Sequence, residues 1–239
     1  MPQHRYYISE PFYIDQPVTI QEPEFHHLHA VMRQKNGDLL ELINGQGQLA
    51  HGVITSIQKK QAIVQISSVQ KEKPADFFLT LALGFLKNTH LEFALEKACE
   101  LGVSKICLFQ AMRSEKKELS EQYLKRLHTI VISACKQCGR LYIPKIEISK
   151  NLKECLKKEE LSFFGDLSST SQLIARFAQD LQKQKAATIY IGPESGFTEE
   201  EVTRLQEHGA HGITLAKNTL RAETAAIIAV SLFMEYGQS

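Results

Sequence analysis

The chain has 239 residues, 43% of them hydrophobic, with 28 Lys plus Arg against 27 Asp plus Glu and a net charge of +1. That is enough apolar material for one large packed domain or for a small and a medium one, and the near-neutral balance excludes a global basic field, so any nucleic-acid surface must be a local patch. No run approaches the roughly 18 apolar residues of a membrane span, Met1-Pro2-Gln3-His4-Arg5 lacks a signal-peptide core, and five scattered cysteines point to reduced thiols, so a cytoplasmic protein without membrane contact is expected.

A charged, proline-bearing seam at Lys71-Glu72-Lys73-Pro74-Ala75-Asp76 separates two patterns, and places domains at 1–72 and 73–239. Before it the apolar period is mostly two. Leu39 to Ile43, Gln48 to Ile57 and Ala62 to Val69 read as strands, with Asn44-Gly45-Gln46-Gly47 as a tight turn. One helix is expected from about Pro23 to Arg33, proline suiting its first position. The result is a small β domain.

After the seam strands and helices alternate. Leu79 to Leu86 is a near-continuous apolar run, as in a strand covered on both faces. Thr89 and Glu92 are spaced as a capping box for a helix whose Leu91, Ala94, Leu95, Ala98 and Leu101 share a face, with Gly102 as its stop. Lys105 to Gln110 is the next strand, and Ser120 to Cys138 a longer helix stopped by Gly139. Strands at Tyr142 to Ile148, Leu161 to Leu167, Thr188 to Ile191 and Gly212 to Leu215 are separated by helices near Asn151 to Lys158, Gln172 to Lys183 and Glu199 to Glu207. A last helix spans Leu220 to Tyr236. Such alternation implies an α/β domain with a mostly parallel sheet, whose ligands bind beyond the carboxyl ends of the strands.

Two loops fall at such ends. Gly192-Pro193-Glu194-Ser195-Gly196 carries two glycines that let a ligand approach the main chain, and Thr198 with Glu201 forms a capping box after it. An ordinary strand-to-helix turn is the plain alternative. The loop is neither a P-loop nor a nucleophile elbow. The second, Leu215 to Thr224, places Arg221 and Glu223 at a helix start, with Asn218-Thr219 as cap candidates. The helix dipole explains Glu223; Arg221 opposes that dipole, which suggests an anion site.

Other features are plainer. Cys135-x-x-Cys138 is a single pair in helical surroundings, so packing is preferred to zinc and no metal is expected. Gly45 to Ala50 matches a dinucleotide fingerprint by letter, but a strand follows it where a helix is required. Five of the nine histidines precede residue 74, and His26, His27 and His29 cannot share one helix face. Arg5, Arg33, Lys87, Arg113 and Arg140, with Lys116 and Lys117, are candidate RNA contacts, against ordinary solvated surface.

The two loops together, Ile191-Gly-Pro-Glu-Ser-Gly-Phe-Thr-Glu-Glu-Glu201 and Leu220-Arg-Ala-Glu-Thr-Ala225, resemble the knot motifs of the RsmE family. Those are SPOUT-superfamily methyltransferases that methylate N3 of a uridine in the decoding region of 16S ribosomal RNA with S-adenosylmethionine. The resemblance covers the chain: Lys87, Glu92-Phe93, Lys97 and Glu100 to Val103 resemble the first strand-helix unit, and Ala134 to Arg140 a Glu-Gln-x-x-Arg segment. Arg5-Tyr6-Tyr7, His26 to Arg33, Gly37-Asp38 and Asn44-Gly45 resemble its PUA-like RNA-binding domain. Departures stand at Ser195 (usually Gly), Lys136 (Glu), Ala216 (Gly), Asn218 (Arg) and Ala222 (Thr).

The resemblance implies a PUA-like β-barrel domain followed by a trefoil-knotted SPOUT domain, a homodimer with its active site at the subunit interface, and the small ribosomal subunit's 16S rRNA as partner. Cofactor residues would be Leu167, Ile191, Gly192, Pro193, Glu194, Gly196, Leu215, Ala216 and Leu220, mainly through main-chain groups. The uridine imide proton must leave. Arg221 is therefore the candidate for stabilising phosphate or anionic base and Glu223 for proton removal or orientation, Glu194 being also weighed. A non-catalytic rRNA assembly factor, or a SPOUT enzyme acting on another RNA position such as a ribose hydroxyl, are the competing readings.

Overall fold

The computed structural model describes residues 4–156, 161–168 and 171–238. Contacts divide the chain into two compact units, one made of the chain up to Pro74 together with Ile132–Ile143, the other of Ala75–Val131 and the chain from Pro144 onward. The return of Ile132–Ile143 to the first unit has no signature in the sequence.

In the first unit, strands β1 (Arg5–Tyr7), β2 (Pro17–Ile20), β3 (Leu39–Ile43), β4 (Gln48–Ile57) and β5 (Ala62–Lys71) form one sheet in the order β1-β3-β4-β5-β2. β1 runs parallel to β3 and the remaining pairs are antiparallel. Alternation along β4 and β5 sends Ala50, Ile54, Ala62, Val64 and Ile66 into a core with Tyr6, Phe12, Ile20 and Leu42. Register shifts at His51/Gly52 and Ile54/Ser56 bend the sheet around that core. The β3–β4 turn is built on Asn44, whose Oδ1 accepts the amides of Gln46 (2.9 Å) and Gln48 (3.0 Å), while Gly45 and Gly47 take positive φ.

The helix expected over Pro23 to Arg33 is different in kind. Only Glu24–His26 (α1) is α-helical, and it widens into a π-turn over His27–Val31, where the Met32 amide donates to His27 C=O at 2.9 Å. Arg33, at φ +53°, then turns the chain so that Gln34 is buried and accepts the Tyr6 hydroxyl at 2.8 Å. Beside them Lys136 pairs with both oxygens of Glu24 at 2.9 Å, answering the reversed charge noted in the sequence. Burial, then Lys136, hold the His27 pKa below its ordinary value.

The second unit holds β6 (Phe78–Gly84), α2 (Asn88–Glu100), β7 (Lys105–Phe109), most of α3 (Glu121–Cys138), β8 (Lys145–Ser149), α4 (Leu152–Cys155) and β9 (Leu161–Gly165), followed by β10 (Gln172–Leu173), α5 (Ala178–Lys183), β11 (Ala186–Ile191), α6 (Glu199–Glu207), β12 (His211–Thr214) and α7 (Ala222–Gln238). Its seven strands are all parallel, in the order β10-β12-β9-β11-β6-β7-β8. β6 and β11, near the middle, are buried on both faces. α7 presents Ala226, Ala229, Val230 and Phe233 to the core, and Phe233 meets Phe163 of β9 edge to face at 4.9 Å.

Several expectations need correction here. Glu92 does not cap α2: Arg126 of α3 takes both its oxygens at 2.7 Å, and no side chain caps from Lys87, the N-cap residue. Gln172 and Leu173 add a short edge strand beside β12, and the helix begins only after a 3₁₀ turn over Ile174–Phe177. The strand expected from Tyr142 begins at Lys145, because Tyr142 and Ile143 bond instead to Gln46 and Gly45 within the first unit. α4 starts at an Asn151 cap, as expected, and stops at Cys155; the predicted ending over residues 157 and 158 lies outside the described residues. α7 begins at Ala222, so Arg221, and neither Asn218 nor Thr219, precedes its first turn. The thiols are not all reduced: Cys107 and Cys155 are paired through their sulfurs, a contact between β7 and α4 that a separation of 48 residues hides.

Candidate active site

β12, β9 and β11 are adjacent, so the loops leaving their carboxyl ends lie side by side. Together they wall a cavity of about 600 Å³. All nine predicted cofactor residues line it: Leu167 from the loop after β9, Ile191, Gly192, Pro193, Glu194 and Gly196 from that after β11, and Leu215, Ala216 and Leu220 from that after β12.

The loop after β11 closes on itself. Gly196, at φ +70°, donates its amide to Pro193 C=O at 2.8 Å, and a Cβ on Gly192 would stand 3.1 Å from the Phe197 nitrogen. From β6, Gly84 lets Pro193 come so near that a Cβ there would meet its nitrogen at 2.9 Å. The expected capping box is present, Thr198 accepting from the Glu201 amide while Glu201 accepts from that of Thr198. Glu201 does more, since its Oε1 takes the Met112 amide at 2.9 Å. Arg113, in the same segment after β7, donates from Nη1 to the carbonyls of Ser195 (3.3 Å) and Phe197 (3.2 Å). A predicted RNA contact thus lines the cavity and braces its wall.

The opposite wall is chemically different. Among the described residues, no main-chain hydrogen bond ties any of Leu215 to Leu220 to the rest of the chain. Main-chain groups left unpaired beside a cavity are ready partners for a ligand that alternates donors and acceptors, as an adenine edge and ribose do. Ile191, Leu215 and Leu220 add apolar surface for a flat ring. The site therefore fits the adenosine portion of S-adenosylmethionine.

Sequence reasoning missed part of the lining. Asp166 accepts from the Ser168 amide (2.9 Å) and hydroxyl (2.6 Å), folding the loop after β9, and the Ser171 hydroxyl bonds to that of Thr214. An Asp followed two residues later by Ser, just past a strand, is the turn signal that was available. His90 was also missed, and its Nδ1 lies 3.2 Å from Glu194 Oε1.

Arg221 and Glu223 are not among the cavity's lining residues. Ala222 and Ala225 are the residues of that turn facing it, while Arg221 is exposed and Glu223 is buried, 3.9 Å from His90. Glu194 Oε1 accepts the Lys87 amide at 2.9 Å. Burial works to raise the Glu194 pKa, but hydrogen bonds from the amides of Lys87 and Glu194 itself and from His90 outweigh it and leave the pKa below the ordinary value.

The remaining predicted RNA contacts differ in freedom. Arg5 is committed to Glu41, its Nη2 2.7 Å away and its side chain mostly buried. Lys87 is exposed and 3.5 Å from Glu115, Arg33 is exposed, and Arg140 is half-buried. Among the described residues no three His, Cys, Asp or Glu side chains are grouped to hold a metal ion, and no helix is long and apolar enough to cross a membrane.

Comparison with known proteins places these features in company. Residues 71–234 match the model of an RNA methyltransferase domain, and residues 20–67 that of an RNA methyltransferase PUA domain. A Rickettsia conorii protein named Ribosomal RNA small subunit methyltransferase E is 30% identical over 97% of this chain and 95% of its own length. A Buchnera aphidicola protein of the same name is 28% identical over 95% and 91%. Among solved structures, one from Legionella pneumophila with bound cofactor SAM superposes with a TM-score of 0.91 at 29% identity, covering 98% of each chain. A Ribosomal RNA small subunit methyltransferase E from Neisseria gonorrhoeae, bound to S-adenosyl methionine, gives 0.87 at 27% identity, over 98% of this chain and 97% of that one.

Proposed function

Because the chain belongs to the ribosomal RNA small subunit methyltransferase E family, we propose that it transfers a methyl group from S-adenosylmethionine to N3 of a uridine in the decoding region of 16S rRNA. The observation that carries this reading is the cavity itself: about 600 Å³ lined by a self-closed glycine turn and by Leu215 to Leu220, which, among the described residues, no main-chain hydrogen bond ties to the rest of the chain.

S-adenosylmethionine supplies an electrophilic methyl on a sulfonium. The chain's own task is to hold that methyl in line with the uridine N3, and such positioning supplies roughly 7–11 kcal/mol of a barrier. Leu167, Ile191, Gly192, Pro193, Glu194, Gly196, Leu215, Ala216 and Leu220 would hold the donor. N3 must lose its proton before or as it attacks. Arg221, exposed at the start of α7, would stabilise the anionic base or the adjoining phosphate, and Glu223 would orient this turn or receive the proton. Residues 1–72 would supply RNA contacts and residues 73–239 the transfer, with Arg33, Lys87 and Arg140 touching phosphates, Arg113 bracing the donor cavity and Arg5 shaping the surface through Glu41. We also propose a cytoplasmic homodimer with the trefoil threading that the resemblance implies, the partner completing the site around Arg221.

Labelled methyl transfer to undermethylated small ribosomal subunits, followed by mapping of the modified atom, tests the reading. The wild type should label one uridine at N3, and Arg221→Ala should lower the rate by about 10²-fold or more. Ribosomal RNA binding without transfer would support the assembly-factor alternative, and a methylated ribose a different SPOUT specificity.

A further inference from the structure

Two carboxylates, one lining the cavity and one buried outside its lining, converge on one imidazole. Glu194 comes from the turn after β11 and Glu223 from the first turn of α7. His90, in the first turn of α2, places Nδ1 3.2 Å from Glu194 Oε1 and 3.9 Å from Glu223 Oε2. Glu223 is only 7% exposed, and its Oε2 is buried without a hydrogen-bond partner. A carboxylate in that state is costly unless a cation faces it. Among the described residues no other ion pair reaches it. The two contacts also differ in kind. At 3.2 Å Nδ1 is within hydrogen-bond reach of Glu194, whereas 3.9 Å to Glu223 is too long for a hydrogen bond.

We propose that His90 is a positioning residue of the methyl-transfer site: it ties α2 to the cavity-lining Glu194 and, through Glu223, to the first turn of α7 whose Ala222 and Ala225 line the cavity, and so sets the spacing at which the donor is gripped. His90 is not among the residues lining the cavity; it acts through the two carboxylates. The identity of the ligand rests on the function proposed above, but the tie does not.

Calorimetry with S-adenosylhomocysteine, together with hydrogen exchange of the free protein, tests it. His90→Phe removes both contacts and should weaken binding about 10-fold, a loss of about 1.4 kcal/mol. His90→Gln keeps an N–H for Glu194 and should fall between the two. The double variant His90→Phe/Glu223→Gln removes the unanswered charge and should recover binding to within about threefold of wild type, a rescue that simple damage to folding would not show. In the free protein His90→Phe should speed exchange of the Lys87 amide and of the 192–197 segment together. Binding within twofold of wild type, or a double variant no better than His90→Phe, would overturn the proposal. If the wild type binds no S-adenosylhomocysteine, the functional reading falls, and exchange alone decides on His90: coupled acceleration supports the tie, unchanged protection removes it.

Discussion

Glu194 Oε1 accepts the amide of Lys87 at 2.9 Å across a separation of 107 residues, so the glycine turn of the cavity supplies the N-terminal cap that α2 lacks in its own sequence. Removing such a cap costs about 0.5–2 kcal/mol. Glu194→Ala should lower stability by that amount in urea unfolding. The folded pKa of Glu194 is depressed, so its contribution is fully present above the unfolded carboxylate value and is lost as pH falls through the lower folded one. The stability gap between wild type and Glu194→Gln should hold near pH 7 and close as pH falls from the ordinary carboxylate range through the lower folded value; a gap that widens on acidification would contradict the cap.

Arg113 braces the same turn through the carbonyls of Ser195 and Phe197. Arg113→Ala should weaken S-adenosylhomocysteine binding about 3- to 10-fold even without RNA, and Arg113→Lys should recover part, because a single nitrogen bridges both carbonyls and an ammonium on a shorter side chain can still reach one of them. An effect confined to RNA binding would return Arg113 to the role read from the sequence.

A methyl group on Gly84 would press against the main chain of Pro193 at 2.9 Å. Gly84→Ala should therefore cost about 1–3 kcal/mol, the range of overpacked interiors. It should also loosen donor binding, because the loop that must yield is the cavity wall. Gly209→Ala makes a useful control: a Cβ there meets nothing within 4 Å, leaving only the strain of φ +81°.

The Lys136–Glu24 pair keeps little exposure, 15% and 13% of the two side chains. Lys136→Met should cost about 1–3 kcal/mol, below the ~3–5 kcal/mol of a fully buried orphaned charge, and Lys136→Glu more, since two carboxylates would then face each other. Calorimetric unfolding should show the loss, and Glu24→Gln in the Lys136→Met background should restore part of it.

What could be read from the chain divides by range. β6 and β11 stood out because strands buried on both faces are mostly apolar, Thr80 and Thr188 being the exceptions, and α6 because Thr198 and Glu201 cap it within four residues. Thr89 and Glu92 carry the same local spelling, yet Glu92 is taken by Arg126, 34 residues distant, and a bidentate pair outcompetes a cap. The π-turn at His27–Val31 defeats a 3.6-residue period, and β10 is only two residues of edge strand. The glycine turn and the loop to Arg221 were legible because their chemistry is sequential. His90 was not, since nothing in its neighbourhood along the chain announces two carboxylates more than 100 residues away.

Because β12, β9 and β11 stand together while their loops are spread from Gly165 to Ala225, the pocket has no early form. A chain emerging from the ribosome can complete the first sheet and several parallel strands and still own nothing that grips a nucleoside. Only when α7 is released and Ala222 and Ala225 reach the cavity does the last wall arrive. The donor site is thus absent until the first turn of α7 is in place, so a chain interrupted before Ala222 would keep most of its parallel strands and remain inert.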